Sequence, residues 1–196
     1  MSGAWLASYW VLWMLVLVLT FVIAALARQI GVLHMRLGPM GARTANPGPE
    51  IGAQAPELFA VDLNGQDVQL GGLRNRLTLL IFISPNCPSC SELAPSIRVM
   101  ARSERSTLVV QLVSLSDDRP SLREFVAKHK LESIPCVPSK IVSERYGVLA
   151  APYGLVISKH GIVLSKGIAN HIEHLESLLN AAALGDVGTD NLIKQE

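Results

Sequence analysis

Two cysteines separated by two residues, Cys87 and Cys90 in the run Pro85-Asn86-Cys87-Pro88-Ser89-Cys90, are the residues of this chain best placed to do chemistry. Such spacing suits either thiol–disulfide exchange or half of a metal site. A zinc site would need further Cys or His ligands at a partner motif, and the sequence offers none at the right spacing. The reading is therefore redox, with no metal and no cofactor. Disulfide exchange proceeds through a thiolate, so one cysteine must carry negative charge easily and stay accessible. An apolar run ends just before Cys87 and a helical pattern begins just after it, which places Cys87 at a helix N-terminus, where free N–H groups and the helix dipole favour an anion. Cys90, nearly one turn further on, is within reach to close the disulfide. Cys87 is the expected nucleophile and Cys90 the resolving thiol, with Pro88 and Ser89 between them helping to set the redox poise. The bland alternative, a buried pair of small hydrophobes or an inert bridge, fits the strand context and Pro88 less well.

Ala151-Pro152 precedes a second apolar run that starts at Tyr153. The plain reading is a proline at a strand start; the sharper one is a cis proline facing the cysteines, whose neighbouring backbone offers a hydrogen-bonding edge to a substrate strand. Sequence distance does not choose between them. Cys136, in Ile134-Pro135-Cys136-Val137-Pro138, has no sequence partner and reads as a buried free thiol. His171 and His174 stand one helical turn apart but lack a third ligand, so they read as a solvated helix face. His34 is expected at a membrane interface, and Arg74 and Arg76 in a solvated turn.

The elements that must position these residues follow from periodicity. Leu77 to Ile83 is a near-continuous apolar run bounded by turn residues, as in a central strand covered on both faces. Leu93, Ile97 and Met100 mark one face of a helix from Cys90 to Arg102, interrupted by Pro95, which should kink it. A strand over 108–113 and a helix over 121–129 continue a βαβα order, followed by a short helix over 139–146. Strands over 153–158 and 162–166 joined at His160-Gly161 come next, and then a helix over 171–183 capped by Asn170. In front, strands over 58–62 and 67–70 flank Asn64-Gly65, a strong hairpin signal. The expected fold class is α/β, a thioredoxin-like arrangement with an N-terminal β-hairpin extension.

Ahead of that domain, Trp5 to Ala27 carries no charge and is long enough to cross a hydrocarbon core of about 30 Å as one helix. Trp5, Tyr9, Trp10 and Trp13 gather at one end, as interfacial rings do, and the absence of a basic leader argues against a cleaved signal peptide. The division expected is a transmembrane helix over 5–27, a Gly/Pro-rich tether over 28–50, a thioredoxin-like domain over 51–183 and a tail over 184–196. Arg28, Arg36 and Arg43 follow the helix and none precedes it, which by charge alone puts the domain in the cytoplasm. Disulfide chemistry belongs on the oxidising side, and on that ground we place the domain in the periplasm, tethered to the inner membrane. A formal net charge of +1, from 17 basic and 16 acidic residues, leaves no electrostatic footprint for nucleic acid.

Taken together, Cys87-Pro88-Ser89-Cys90, Pro95 and Pro152 resemble the thioredoxin superfamily over roughly 51–183. More narrowly, the whole chain resembles the MauD family of methylamine-utilization accessory proteins, through Gly31-Val32-Leu33-His34-Met35-Arg36, Asp62-Leu63-Asn64-Gly65, Ser84-Pro85-Asn86 before the cysteines, Tyr146-Gly147-Val148 leading to Pro152-Tyr153, and the stretch Lys166-Gly167-Ile168-Ala169-Asn170 with Glu173-His174-Leu175-Glu176-Ser177-Leu178. The resemblance implies a role in forming or isomerising disulfides of the small (beta) subunit of methylamine dehydrogenase, with a membrane electron donor or acceptor behind it. Two alternatives stay open at this stage: a reductant of apocytochrome c thiols, and a non-catalytic membrane-tethered escort of the subunit. The chain departs from many thioredoxins in having Asn86 where they have Trp, and Ile81 where they have a buried acid. Proton transfer to Cys90 is thus left to another group or to water.

Overall fold

The computed structural model describes residues 3–36 and 48–193, with side chains described except at 4, 6–7, 24–36 and 186–193. The chain divides into two compact units, 1–44 and 45–196. In the first, helix α1 (Gly3–Arg36) runs nine residues' worth of numbering past the expected end at Ala27. The stretch Arg28 to Arg36 contains no proline and one glycine, so no strong breaker interrupts the helix there. Its described large apolar side chains are all outward, from Trp5 at 82% exposed to Phe21 at 77%. Among the described residues no helix is long and apolar enough to cross a membrane, so the span expected over 5–27 is not part of what the fold establishes. Residues 28–36 of the expected tether are helical, while residues 37–47, Arg43 among them, and the side chains of Arg28, His34 and Arg36 lie outside the described residues.

The second unit is built on five strands: β3 (Leu77–Ile83), β4 (Leu108–Ser114), β5 (Cys136–Pro138), β6 (Tyr153–Ile157) and β7 (Val163–Ile168), in the order β5-β4-β3-β6-β7. β3, β4 and β5 run parallel, while β6 is antiparallel to both of its neighbours. Alternation along β3 splits the core in two. Leu79, Ile81 and Ile83 join the buried side chains of α2 (Pro88–Ser103), α3 (Arg119–His129) and α5 (Ile172–Ile193). Leu80 and Phe82 face the other way, toward Tyr146 at the end of α4 (Lys140–Arg145) and toward Val68 and Leu70 of the front hairpin. Full burial of such a side chain is worth about 1.5–3 kcal/mol, so a strand buried at six successive positions anchors both layers.

The hairpin expected in front is present as β1 (Leu58–Val61) and β2 (Asp67–Leu70), paired antiparallel in a sheet of their own. Its turn is held by Asp62, whose Oδ1 accepts from the N–H groups of Asn64 at 2.7 Å and Gln66 at 2.9 Å, and Gly65 supplies the positive φ of 81°. The Leu63 N–H donates to the Cys136 carbonyl at 2.9 Å, so the hairpin covers the outer edge of β5. β5 itself, with Pro138 at its end, is the strand that periodicity did not reveal. Arg74 departs from the solvated turn expected of it: half-buried, it donates to the Gln69 carbonyl and so ties the end of β2 to the approach to β3. Arg76 is exposed and donates to the Arg105 carbonyl.

The short helix α4 matters through the residue that ends it. Tyr146, 1% exposed, donates from its hydroxyl to the Pro56 carbonyl at 2.7 Å. That fixes the chain entering β1 against the far core. Gly71 shares the spot: a Cβ there would lie 2.3 Å from the same Pro56 oxygen. Replacing Tyr146 by Phe keeps the packed ring and strands the Pro56 carbonyl. Tyr146→Phe should lower unfolding free energy by about 1–2 kcal/mol, read as a fall in the urea midpoint with the slope unchanged.

Candidate active site

The seven residues of β3 deliver the chain through Ser84, Pro85 and Asn86 to Cys87, which is the N-cap of α2. Cys87 has extended backbone angles (φ −92°, ψ 118°), its N–H donates to the Ser84 carbonyl at 3.1 Å, and its carbonyl accepts from the Ser91 N–H at 3.2 Å. Pro88 takes the first helical position, where its missing N–H costs nothing. Pro95 lies inside the same helix, as expected from its place in the sequence. The helical phase then separates the two thiols: Cys87 is half-buried, and Cys90 is wholly buried at 0% exposure. Ser89 is half-buried between them and Pro88 is exposed.

The Ala151–Pro152 peptide bond is cis, which settles the question that sequence left open. The register explains why this loop meets the cysteines. Phe82 pairs with Tyr153 in the antiparallel β3–β6 ladder, so the start of β6 lies beside the end of β3. There the Cys87 thiol donates to the Ala151 carbonyl, with 3.5 Å between Sγ and oxygen. Ala151 is half-buried and Pro152 buried, while Leu149 and Ala150 just before them are exposed. The Pro152 carbonyl is itself occupied, accepting from the Ala169 N–H at 3.0 Å.

Electrostatically the pair is unequal. Burial pushes the Cys90 thiol up from 9.0 to about 12, opposed by a hydrogen bond from the Ser84 backbone and reinforced by the neighbouring Cys87. The Ser84 N–H is a functional group that sequence reasoning missed; only the tight β3–α2 connection could have pointed to it. Access and burial therefore make Cys87 the attacking sulfur and Cys90 the one that waits.

The remaining candidates lie apart from this pair. Cys136 is 2% exposed on β5, and burial together with the nearby Asp62 carboxylate raises its thiol to about 12. It borders a cavity of about 420 Å³ with Leu63, Arg123 and Ile134. His171 and His174 are exposed at the start of α5, ring centroids 5.6 Å apart, and among the described residues no group of three metal-ligating side chains is assembled. A cavity of about 890 Å³ runs between α2 and α5 past Val99, Leu179 and Glu176, away from the cysteines.

A strand-to-helix C-x-x-C pair with one sulfur accessible and one buried, facing a cis proline in a five-stranded mixed sheet, defines a thioredoxin-like thiol–disulfide redox protein. Known proteins agree with that class. Residues 51–168 match the AhpC/TSA family. The methylamine utilization protein MauD of Paracoccus versutus is 40% identical over 181 residues, covering 92% of this chain and 90% of the relative. MauD of Methylophilus methylotrophus is 34% identical over 198 residues, covering 100% and 92%. Among solved structures, a secreted Mycobacterium tuberculosis disulfide oxidoreductase homologous to E. coli DsbE superposes with TM-score 0.55 at 20% identity, over 65% of this chain and 95% of that one. The thioredoxin domain of a Bacteroides vulgatus thiol-disulfide oxidoreductase gives 0.57 at 18%, over 66% and 97%. The chain belongs to the MauD family.

Because the folded Cys136 thiol titrates near 12 and an exposed one near 9.0, the unfolded state alone gains by ionising between those values. The contribution to stability is complete below pH 9 and is lost progressively as pH rises toward 12. Under reducing conditions the unfolding midpoint should fall through that window, and Cys136→Ala should make the fall shallower; an unchanged slope in the variant would contradict the assignment.

Proposed function

We propose that this chain is a membrane-anchored thiol–disulfide oxidoreductase that forms or rearranges disulfides in the small (beta) subunit of methylamine dehydrogenase. The observation that carries the reading is the Cys87 sulfur, accessible at the α2 N-terminus and 3.5 Å from the Ala151 carbonyl, above a wholly buried Cys90. A substrate thiolate or disulfide can reach only Cys87. The Ala151 carbonyl, held by the Cys87 thiol in the reduced protein, is freed as an acceptor for an extended substrate segment once that thiol has reacted. An inert staple, or an escort that only holds its partner, has no need of one open sulfur. Membership of the MauD family supports the choice of substrate: the relatives are named for methylamine utilization, and a disulfide-rich subunit is what such a pair would serve.

The anchor in this proposal is α1, supported by its uncharged run from Trp5 to Ala27 and by its outward apolar side chains: Trp10 is 67% exposed, and every described large apolar residue from Val11 to Ile23 is exposed. A lipid phase is the environment in which that surface costs least. The domain is placed on the periplasmic face of the inner membrane, where disulfides persist, and a membrane electron donor or acceptor restores the pair after each turnover.

Cys90→Ser should hold the small subunit on Cys87 as a mixed disulfide recoverable from the cell envelope under non-reducing electrophoresis, and Cys87→Ser should hold nothing. A thiol reagent that cannot cross the inner membrane should label Cys87 in intact spheroplasts. Absence of any Cys87-dependent adduct, or labelling only after lysis, would overturn the substrate or the placement respectively.

A further inference from the structure

The front hairpin turns an apolar face outward. Leu58 and Ala60 pack inward against the core that holds Phe82 and Tyr146, which leaves Phe59 75% exposed and Val61 exposed beside it. The solvated side of a hairpin is ordinarily polar, as Asp67 and Gln69 on β2 are. Ile141 on α4 is 67% exposed. With Pro138, Arg119 and Arg145, these three apolar residues line a cavity of about 410 Å³ between β1 and the corner where β5 passes into α4.

The edge of β1 beside this cavity is open. β1 pairs with β2 in a sheet of two, and the Asp62 N–H donates to the Gln66 carbonyl at 2.9 Å. Antiparallel bonding alternates along a strand, so Ala60 and Leu58 bond to β2 while the N–H and C=O groups of Phe59 and Val61 point to the other edge. Beyond the bond from Leu63 to Cys136, no backbone bond joins β1 to β5 among the described residues. The charge on the cavity has one sign. Arg119 and Arg145 are exposed, and they are its charged lining residues. The carboxylates next to them in sequence are engaged elsewhere: Asp117 accepts from the Lys140 N–H at 3.0 Å, Asp118 from the Ser121 N–H at 3.2 Å, and Glu144 pairs with the Lys140 Nζ at 3.6 Å.

We propose that this cleft docks an extended, acidic segment of the protein whose sulfurs Cys87 engages. The segment adds a strand to the free edge of β1, sets an apolar side chain among Phe59, Val61 and Ile141, and brings carboxylates to Arg119 and Arg145. Only the identity of that partner rests on the redox reading above. A lipid surface would suit the apolar and basic groups but leave the strand edge unpaired, and a second copy would bring the same arginines against each other. The cleft also lies within reach of the sulfurs. β5 runs parallel to β3 and two strand spacings from it, so at about 4.8 Å per spacing its Pro138 end is about 10 Å across the sheet from the Ile83 end that leads to Cys87. One partner can be held at the cleft while its sulfur exchanges at Cys87.

The test titrates the full chain in detergent micelles into a fluorescein-labelled, cysteine-free peptide of alternating valine and glutamate, about eight residues long to match a strand, and follows its anisotropy. Saturable binding that weakens as salt rises is expected, and a peptide of alternating valine and lysine should not bind. Arg119→Glu together with Arg145→Glu should weaken binding about tenfold or more. Val61→Pro removes an N–H that the β1–β2 ladder does not use and should weaken it comparably, whereas Val61→Ala keeps that N–H and should cost about threefold at most. Absence of saturable binding, binding that neither the arginine reversal nor Val61→Pro alters, or equal binding of the lysine peptide overturns the proposal. Should Val61→Pro fail to fold, the arginine reversal and the lysine peptide still decide. Two other occupants are read without peptide. A dimer in light scattering that Val61→Pro dissolves would give the edge to a second copy, and protection of the Phe59 and Val61 amides from hydrogen exchange on transfer from micelles to phosphatidylglycerol vesicles would give it to lipid; either result overturns the proposal. Cys87→Ser should bind the peptide as the native chain does, so the cleft is tested apart from the sulfurs. Failure of the native chain to exchange with oxidised glutathione would strike the redox reading, and with it the link to Cys87, while peptide binding would still decide the cleft.

Discussion

The burial of β3 on both faces is the constraint from which the site follows. A strand with Leu79, Leu80, Ile81 and Phe82 all at 0% exposure must lie in the middle of its sheet, with a partner on each edge and a layer on each side. Its centrality fixes its neighbours as β4 and β6. Because β6 is antiparallel, its first residue meets the last residues of β3, and the peptide before it arrives at the N-terminus of α2. Sixty-four positions of sequence separate Cys87 from Ala151, yet the ladder leaves them no other place to be. A one-residue slip in that register would carry Ala151 away from the thiol and turn every β6 side chain to the wrong layer.

The second layer holds the first in place by polar means. Tyr146 reaches the Pro56 carbonyl, Arg74 and the Gln111 side chain both donate to the Gln69 carbonyl, and Asp62 organises the hairpin turn whose next residue bonds to β5. The Tyr146–Pro56, Gln111–Gln69 and Leu63–Cys136 bonds join segments far apart in sequence, while the Arg74 and Asp62 bonds close turns within five positions. The hairpin is thus more than an addition to the front of the domain. It closes the face of the sheet that α2, α3 and α5 leave open, and it guards the edge at β5.

What could be read in the sequence was whatever repeats locally. The apolar run 77–83, the i, i+3 and i+4 spacing after Cys90, and Asn64-Gly65 each carry their own signal, and each element formed where expected. β5 escaped because three residues, preceded by Pro135 and ending in Pro138, show no period. Arg74 escaped because its partner is set by tertiary approach, whereas its neighbours in sequence, Gly72 and Asn75, speak only of a turn. The final helix was expected to end at Ala183 but runs to Ile193. Gly185 lowers helix propensity by about 1 kcal/mol, which is not enough to end the helix two residues past Ala183. The cysteine pair was legible in full; the Ser84 N–H and the contact with Ala151 were not, since backbone groups have no letter in a sequence.

Stability and reactivity make opposite demands on Cys90, and the fold meets the first more fully than the second. Packed among Ile81, Leu93 and Ala94, the sulfur adds to the core as a small hydrophobe would, and every polar group brought near it to help ionisation would carry a desolvation cost of its own. A backbone N–H is the least expensive concession, because the turn at Ser84 must exist anyway to lead β3 into α2. A carboxylate at Ile81 would be the most expensive, a charge wanted in the middle of the strand on which both layers rest. The apolar choice at that position therefore serves the fold first, and the chemistry inherits its consequence: an open sulfur that a partner can reach and a closed one that burial holds protonated.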